Sequence, residues 1–190
     1  MNAIAGDETV KTKEQLRTSK EAGERGTWQF SGPWVEVRRG TVLATARIGA
    51  TPERVFRALF TDELESWWGS ADTYRMTRWE SDLRAGGHWS VAVEFVGGPT
   101  VPAGGEFLEI EPFHKVVHTR TYGWDHPTLG RQETTVTCLL APVNGGTGIT
   151  VRHEGFAGFE EAARQHAEGW ERVLRWLADY LEPDGVSTND

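Results

Sequence analysis

The residues with chemical reach in this chain are its histidines, its single cysteine and an unusual number of tryptophans: six, one and nine among 190 residues. His166 and Trp170 stand four apart, which on a helix is one turn and a shared face. His153 has the phase of Ile149 and Val151, so in a strand it points inward with them. An inward histidine can hydrogen-bond a ligand or serve as a general base. The commoner arrangement is a core histidine whose ring nitrogens are both satisfied. Ligand cavities are apolar and aromatic, with a few orienting polar groups. Candidates for lining one are Trp67, Trp68, Trp79, Trp89, Val91, Tyr122, Trp124 and Trp170, with His118, His153 and His166 as polar handles. The same rings can simply fill a core, since each tryptophan buries roughly 150–250 Å².

Other chemistry finds no support. His114 and His118 are four apart, but in a strand that separates them by about 13 Å, and no Cys/His cluster has zinc spacing. Cys138 sits mid-strand among apolar neighbours, where a buried thiol is inert. There is no G-x-S-x-G elbow and no phosphate-binding glycine loop. The glycine pairs at 86–87, 97–98, 104–105 and 145–146 read as hairpin turns. No catalytic residue, metal or cofactor is therefore assigned.

A formal net charge of -8 argues against non-specific nucleic-acid binding, which needs a basic face to displace counterions. It argues equally against an acidic membrane surface as partner. No run approaches ~18 consecutive apolar residues, and MNAIAGDETV lacks the basic and apolar regions of a secretory signal. One cysteine forms no internal disulfide and suits a reducing compartment. The expectation is a cytoplasmic protein, monomer or homodimer.

These residues need elements to hold them. Residues 1–34 are polar and mixed in charge, a loosely attached or disordered segment, with a short helix conceivable at Thr12–Glu21 and Trp28, Phe30 and Trp34 leading onto the body. From Val35 the chain reads as one long extended run. Thr51 and Pro52 then start a helix that buries Val55, Phe56, Leu59 and Phe60. A second short helix follows, with Asp62 and Glu65 as a capping box and Gly69 as its end. Strands are expected at Tyr74–Ser81, His88–Phe95, Glu106–Glu111, Lys115–Tyr122, Thr134–Ala141 and Gly148–Phe156. Short turns between them imply an antiparallel meander with one apolar face. The last element, Phe159–Leu181, is a helix about 35 Å long. Its apolar stripe is Ala163, His166, Trp170, Val173, Leu174, Leu177 and Leu181. Residues 35–182 thus form one domain and 183–190 a tail.

The order of these elements carries a resemblance. TPERVFRALFTDELESWWG, DLRAGGHW, GGEFLEIEPFHKVVHT, TTVTCLLAPVNGGTGITVRHEGF and HAEGWERVLRWLADYL occur in the sequence of blocks of the family named after the activator of the heat-shock protein 90 ATPase. That family lies within the START-like, birch-pollen-allergen-like superfamily, also called SRPBCC. The resemblance covers about residues 41–182. It implies an α+β helix-grip fold: a curved antiparallel sheet wrapped around a long C-terminal helix, with two short helices after the first strand. It also implies a cavity between sheet and helix. Fold alone does not set function, so three readings follow. The first is a non-enzymatic binder of a small hydrophobic or amphipathic molecule in a shielded pocket of at least ~300 Å³. The second is a cyclase- or hydrolase-type enzyme using an inward His or Glu, which requires two ionisable groups within hydrogen-bond reach. The third is a chaperone-associated interaction protein, which requires a large apolar patch on the outer face of the sheet.

Overall fold

The computed structural model describes residues 32–182. The expectations for residues 1–31 of the polar N-terminal stretch, its short helix and the C-terminal tail fall outside those residues, while Trp34, expected at the end of that stretch, already belongs to the first strand. Strand β1 (Trp34–Arg38) turns directly into β2 (Thr41–Ile48). Arg39 and Gly40 have φ of 49° and 73°, the two consecutive left-handed residues of a tight hairpin whose twist matches its strands. A Cβ on Gly40 would lie 2.6 Å from the backbone nitrogen of Ala157. The single extended run expected from Val35 is therefore two strands. Arg-Gly is an inconspicuous turn pair beside Asn-Gly or Asp-Gly, and β-branched residues flank it on both sides.

Helix α1 (Pro52–Phe60) starts as its sequence dictates. The Thr51 hydroxyl accepts the Arg54 N–H at 3.3 Å, and Val55, Phe56, Ala58, Leu59 and Phe60 are buried. The element after it is one 3-10 turn, Asp62–Ser66. Its cap is the Thr61 hydroxyl, which accepts the Glu63 N–H at 3.3 Å, rather than a box of Asp62 and Glu65. The Glu65 carboxylate instead accepts the Trp79 backbone N–H at 2.7 Å. Gly69 closes the turn with φ of 133°.

Strands β3 (Tyr74–Ser81), β4 (His88–Phe95), β5 (Thr100–Glu111), β6 (Lys115–Tyr122), β7 (Thr134–Val143) and β8 (Gly146–Glu154) complete one sheet in the order β1-β2-β8-β7-β6-β5-β4-β3. All pairings are antiparallel. Three strands, β3, β4 and β6, have the bounds that alternation predicts. β5 runs further back, through Gly104-Gly105, so that pair lies within a strand and is not a turn. The glycines serve close approach: a Cβ on Gly105 would sit 2.0 Å from the Thr119 carbonyl oxygen and one on Gly104 2.7 Å from that of Trp89.

A bulge in β3 decides which side chain enters the molecule. Thr77 pairs with Ala92 and Glu80 with Ser90, so one residue is extra. Arg78 takes it up with φ of 55°. Unbroken alternation after Tyr74 and Met76 would send Arg78 inward; the bulge sends Trp79 instead. Trp79 stacks on the buried ring of Trp89, centroids 5.6 Å apart.

Helix α2 (Glu160–Leu181) lies along the inner face and completes a helix-grip fold. It buries Ala162, Ala163, Ala167, Trp170, Val173, Leu174, Leu177 and Leu181, against the inward residues Val136, Cys138, Leu140, Ile149, Val151 and His153 of β7 and β8. Its backbone runs nearest to β1 and β2. Towards β3–β6 the gap between helix and sheet widens, and large side chains must bridge it.

Candidate functional site

That wider gap contains a half-open cleft of about 230 Å³. Met76, Val93, Phe95, Val101 and Val173 form its apolar wall, and Trp68, Tyr74, Trp124 and Trp170 add aromatic surface. Its polar groups are Arg120, Tyr122, His126, His153, Gln165, His166 and Arg172, with no carboxylate among them. The space is smaller and more open than the shielded pocket of ~300 Å³ that ligand sites typically reach.

His153 on β8 is 1% exposed. The Trp170 indole N–H donates to its Nδ1 at 3.1 Å, so in the neutral ring the proton resides on Nε2. From there it donates to the Thr134 hydroxyl at 2.8 Å, which in turn donates to the Arg120 carbonyl at 3.2 Å. Burial first, then repulsion from His166, Arg120 and His118, holds its pKa well below the ordinary histidine value. Both nitrogens are committed, which makes His153 a structural link between α2 and the sheet and not an available base.

His166, one turn before Trp170, has the opposite tautomer. Its Nδ1–H donates to the Ala162 carbonyl of its own helix at 2.7 Å. Its Nε2 is then free to accept the Tyr122 hydroxyl at 2.9 Å. Burial pushes its pKa down to about 4; the Ala162 bond opposes this, while Arg120 and His126 repel its charged form. His126, in the loop between β6 and β7, stacks on Tyr122 with centroids 4.7 Å apart. Burial and the Arg120 cation lower its pKa too. The loop is held to the helix by the Thr128 hydroxyl, which donates to Gln165 Oε1 at 2.7 Å.

Arg120 is the residue that sequence reasoning missed. In β6 it shares the inward phase of Val116, His118 and Tyr122, so alternation pointed to it; the habit of placing charge outside hid it. Its guanidinium lies 5.2 Å from the Tyr122 ring centre and 5.9 Å from that of Trp89, within cation–π range. Among the described residues it has no ion-pair partner, and its Nε is buried without an acceptor. The indole nitrogens of Trp79 and Trp124 are likewise buried donors without acceptors, and that of Trp68 is buried with no well-formed hydrogen bond, the Tyr74 hydroxyl standing near it.

The other expected residues lie deeper. Trp79, Trp89 and His118 border a void of only about 30 Å³, room for about one water. Trp89 donates its indole N–H to the Thr119 carbonyl at 3.2 Å, and His118 meets its ring edge-on at 5.2 Å. Burial, then Arg120, lowers His118 to about 4, against the opposing Thr119 bond. Trp67 and Val91 are buried core residues that line neither space; the Trp67 N–H donates to the Ala58 carbonyl at 3.0 Å. Cys138 is buried on β7, its thiol pushed up to about 12 by burial.

Residues 49–182 match the family model described as "Activator of Hsp90 ATPase homolog 1-like protein". The chain belongs to that family. Among solved structures, protein CV1439 from Chromobacterium violaceum is 26% identical, with a TM-score of 0.67 over 77% of this chain and 100% of its own. A protein from Rhodobacter sphaeroides is 25% identical, with a TM-score of 0.68 over 80% of this chain and 98% of its own. An AHSA1 protein from Silicibacter pomeroyi shares the fold at 24% identity and a TM-score of 0.61, over 74% of this chain and 96% of its own. No curated protein matches the chain.

This member of the Activator of Hsp90 ATPase homolog 1-like family gathers six of the eleven expected residues around its cleft: Trp68, Tyr122, Trp124, His153, His166 and Trp170. On the outer face of its sheet, Leu108 of β5 and Leu139 of β7 are exposed, but they lie two strands apart. The ion pair of Lys115 with Glu109 shares that face. No described helix is long and apolar enough to cross a membrane.

Proposed function

We propose that this chain is a non-enzymatic binding protein for a small amphipathic ligand held in the cleft between β3–β6 and α2. One observation carries the reading: an aromatic and apolar wall faces a cluster of polar side chains across about 230 Å³ of space. That is the arrangement by which pockets hold an apolar body and orient a polar end. The buried histidines support binding over catalysis, because His153 has both nitrogens engaged and His166 is tied to its own helix. Native mass spectrometry of the purified protein tests the reading. The expected result is a retained small molecule that is lost in Trp124→Ala. A chain that carries nothing, and whose melting temperature no small amphipath raises, would sink it.

A second reading has one specific observation in its favour. Tyr122 and His166 meet at 2.9 Å inside the cleft, so two ionisable groups converge there. The neutral imidazole is placed to take the tyrosine proton as the phenol oxygen attacks an ester carbonyl, and to return it to the departing alkoxide. Under this reading Tyr122→Phe abolishes turnover of a bound ester or cyclisable substrate while leaving its binding intact. Unchanged turnover in that variant would remove the tyrosine from the chemistry.

A further inference from the structure

Deepening the ligand-binding reading and resting on it, we propose that the ligand is a small organic anion. Specifically, it is an aromatic or short acyl carboxylate whose charged end meets Arg120 while its body lies on the apolar wall of the cleft.

Three observations converge on this class. First, Arg120 brings a permanent cation to the cleft with no counter-ion among the described residues, and its Nε is a buried donor without an acceptor. A guanidinium so placed is costly to keep unless something negative compensates it, and its fork fits a carboxylate with two parallel hydrogen bonds. Second, the buried polar atoms around it without a well-formed hydrogen bond are all donors: Arg120 Nε and the indole nitrogens of Trp68, Trp79 and Trp124. A ligand offering acceptors satisfies them, whereas a cation or an alkylamine does not. Third, the chain has 28 acidic residues against 20 basic ones, yet no acidic residue among the described ones lines the cleft while two arginines, Arg120 and Arg172, do. A carboxylate in the lining would offset one of these charges; the cleft instead keeps its positive sign within an acidic protein.

Size narrows the class further. About 230 Å³ lies between the ~150 Å³ cavity that holds benzene and the ~300 Å³ at which drug-sized pockets begin. That suits one aromatic ring or a short acyl chain with a polar end, and the open side lets a substituent protrude. Neutral amides of the same shape leave the guanidinium uncompensated, so they bind more weakly.

Paired acids and amides give the test: 3-phenylpropionate with 3-phenylpropionamide, indole-3-acetate with indole-3-acetamide, and octanoate with octanamide. Each is titrated calorimetrically into the full chain and into Arg120→Met and Arg120→Lys. The expected result is that acids bind at least ~10-fold tighter than their amides, a difference of about 1.4 kcal/mol. The gap should narrow with salt, persist in part in Arg120→Lys and vanish in Arg120→Met. Amides that match their acids in the native chain overturn the anion assignment and leave the binding reading standing. A gap that survives in Arg120→Met overturns Arg120 as the anchor. If Arg120→Met does not fold, the native-chain gap and its loss in salt decide the matter alone. No binding by any acid or amide at about 1 mM, a free energy weaker than ~4 kcal/mol, overturns this proposal and the ligand-binding reading together.

Discussion

The gap under α2 has two ends built from the same residue types, and they differ in one respect. At the closed end Trp79 stacks on Trp89, His118 sits against Trp89, and about 30 Å³ is left over. At the open end Trp124, Tyr122, His126 and His166 also form an aromatic cluster, yet about 230 Å³ stays unfilled. Tryptophan and histidine therefore do not mark a site by their presence. Buried indole donors without acceptors occur at both ends, Trp79 at the closed end and Trp124 at the open one, and Arg120 borders both. The open end is distinguished by its unfilled volume and by the added polar groups of Tyr122, His126, Gln165, His166 and Arg172.

The two ends should differ most in what their rings contribute to stability. Trp89→Ala removes a buried ring that is hydrogen-bonded and stacked, and should cost about 3–5 kcal/mol. Trp124→Ala removes a half-buried ring whose N–H bonds nothing, and should cost about 1 kcal/mol. Urea titrations compare the two, and equal losses would erase the distinction between closed and open ends. Gly105→Ala comes next. A methyl placed 2.0 Å from the Thr119 oxygen must push β5 away from β6, and a loss of about 2–3 kcal/mol is expected. A silent Gly105→Ala would return the glycine pair to the status of a turn.

The buried histidines make stability depend on pH. His118 at the closed end and His166 at the open end are both held near 4, and His153 between them is also depressed. In the unfolded chain each binds a proton near pH ~6.5, so the unfolded state binds more protons over that interval. Stability should be complete above about pH 6.5 and fall steadily as pH drops towards 4. The part between 6.5 and 5 belongs mainly to histidine, because ordinary carboxylates titrate lower, near ~4. Urea midpoints at successive pH values read this directly, and a flat profile would mean that these rings exchange protons freely with solvent. The smallest effect has the opposite sign. Arg120→Met removes an uncompensated guanidinium and should raise stability by about 1 kcal/mol; a fall instead would show that Arg120 has a partner in the free protein.

Much of this was legible in the residues, for reasons that also explain the gaps. Alternation placed His153 inward with Ile149 and Val151, and helical spacing placed His166 and Trp170 together against it. The Thr51-Pro52 start and the long final stripe are local signals that tertiary packing reinforced. The Arg39-Gly40 reversal was invisible because a non-glycine residue occupies a left-handed position there. Gly104-Gly105 misled because a glycine pair signals close approach as well as turning. Arg120 was hidden although its phase was plain, since burying a lone charge violates the general rule, and such violations cluster at functional sites. His126 sits in a loop, where no periodicity speaks.

On the proposed reading, ligand enters at the open end and nowhere else. Indole N–H resonances in a nitrogen–proton correlation spectrum, followed while the tightest acid of the panel is added, test it most directly. Saturable shifts are expected at Trp68 and Trp124, with Trp79 unmoved. Shifts centred on Trp79 and Trp89, or spread evenly over all nine tryptophans, would contradict it.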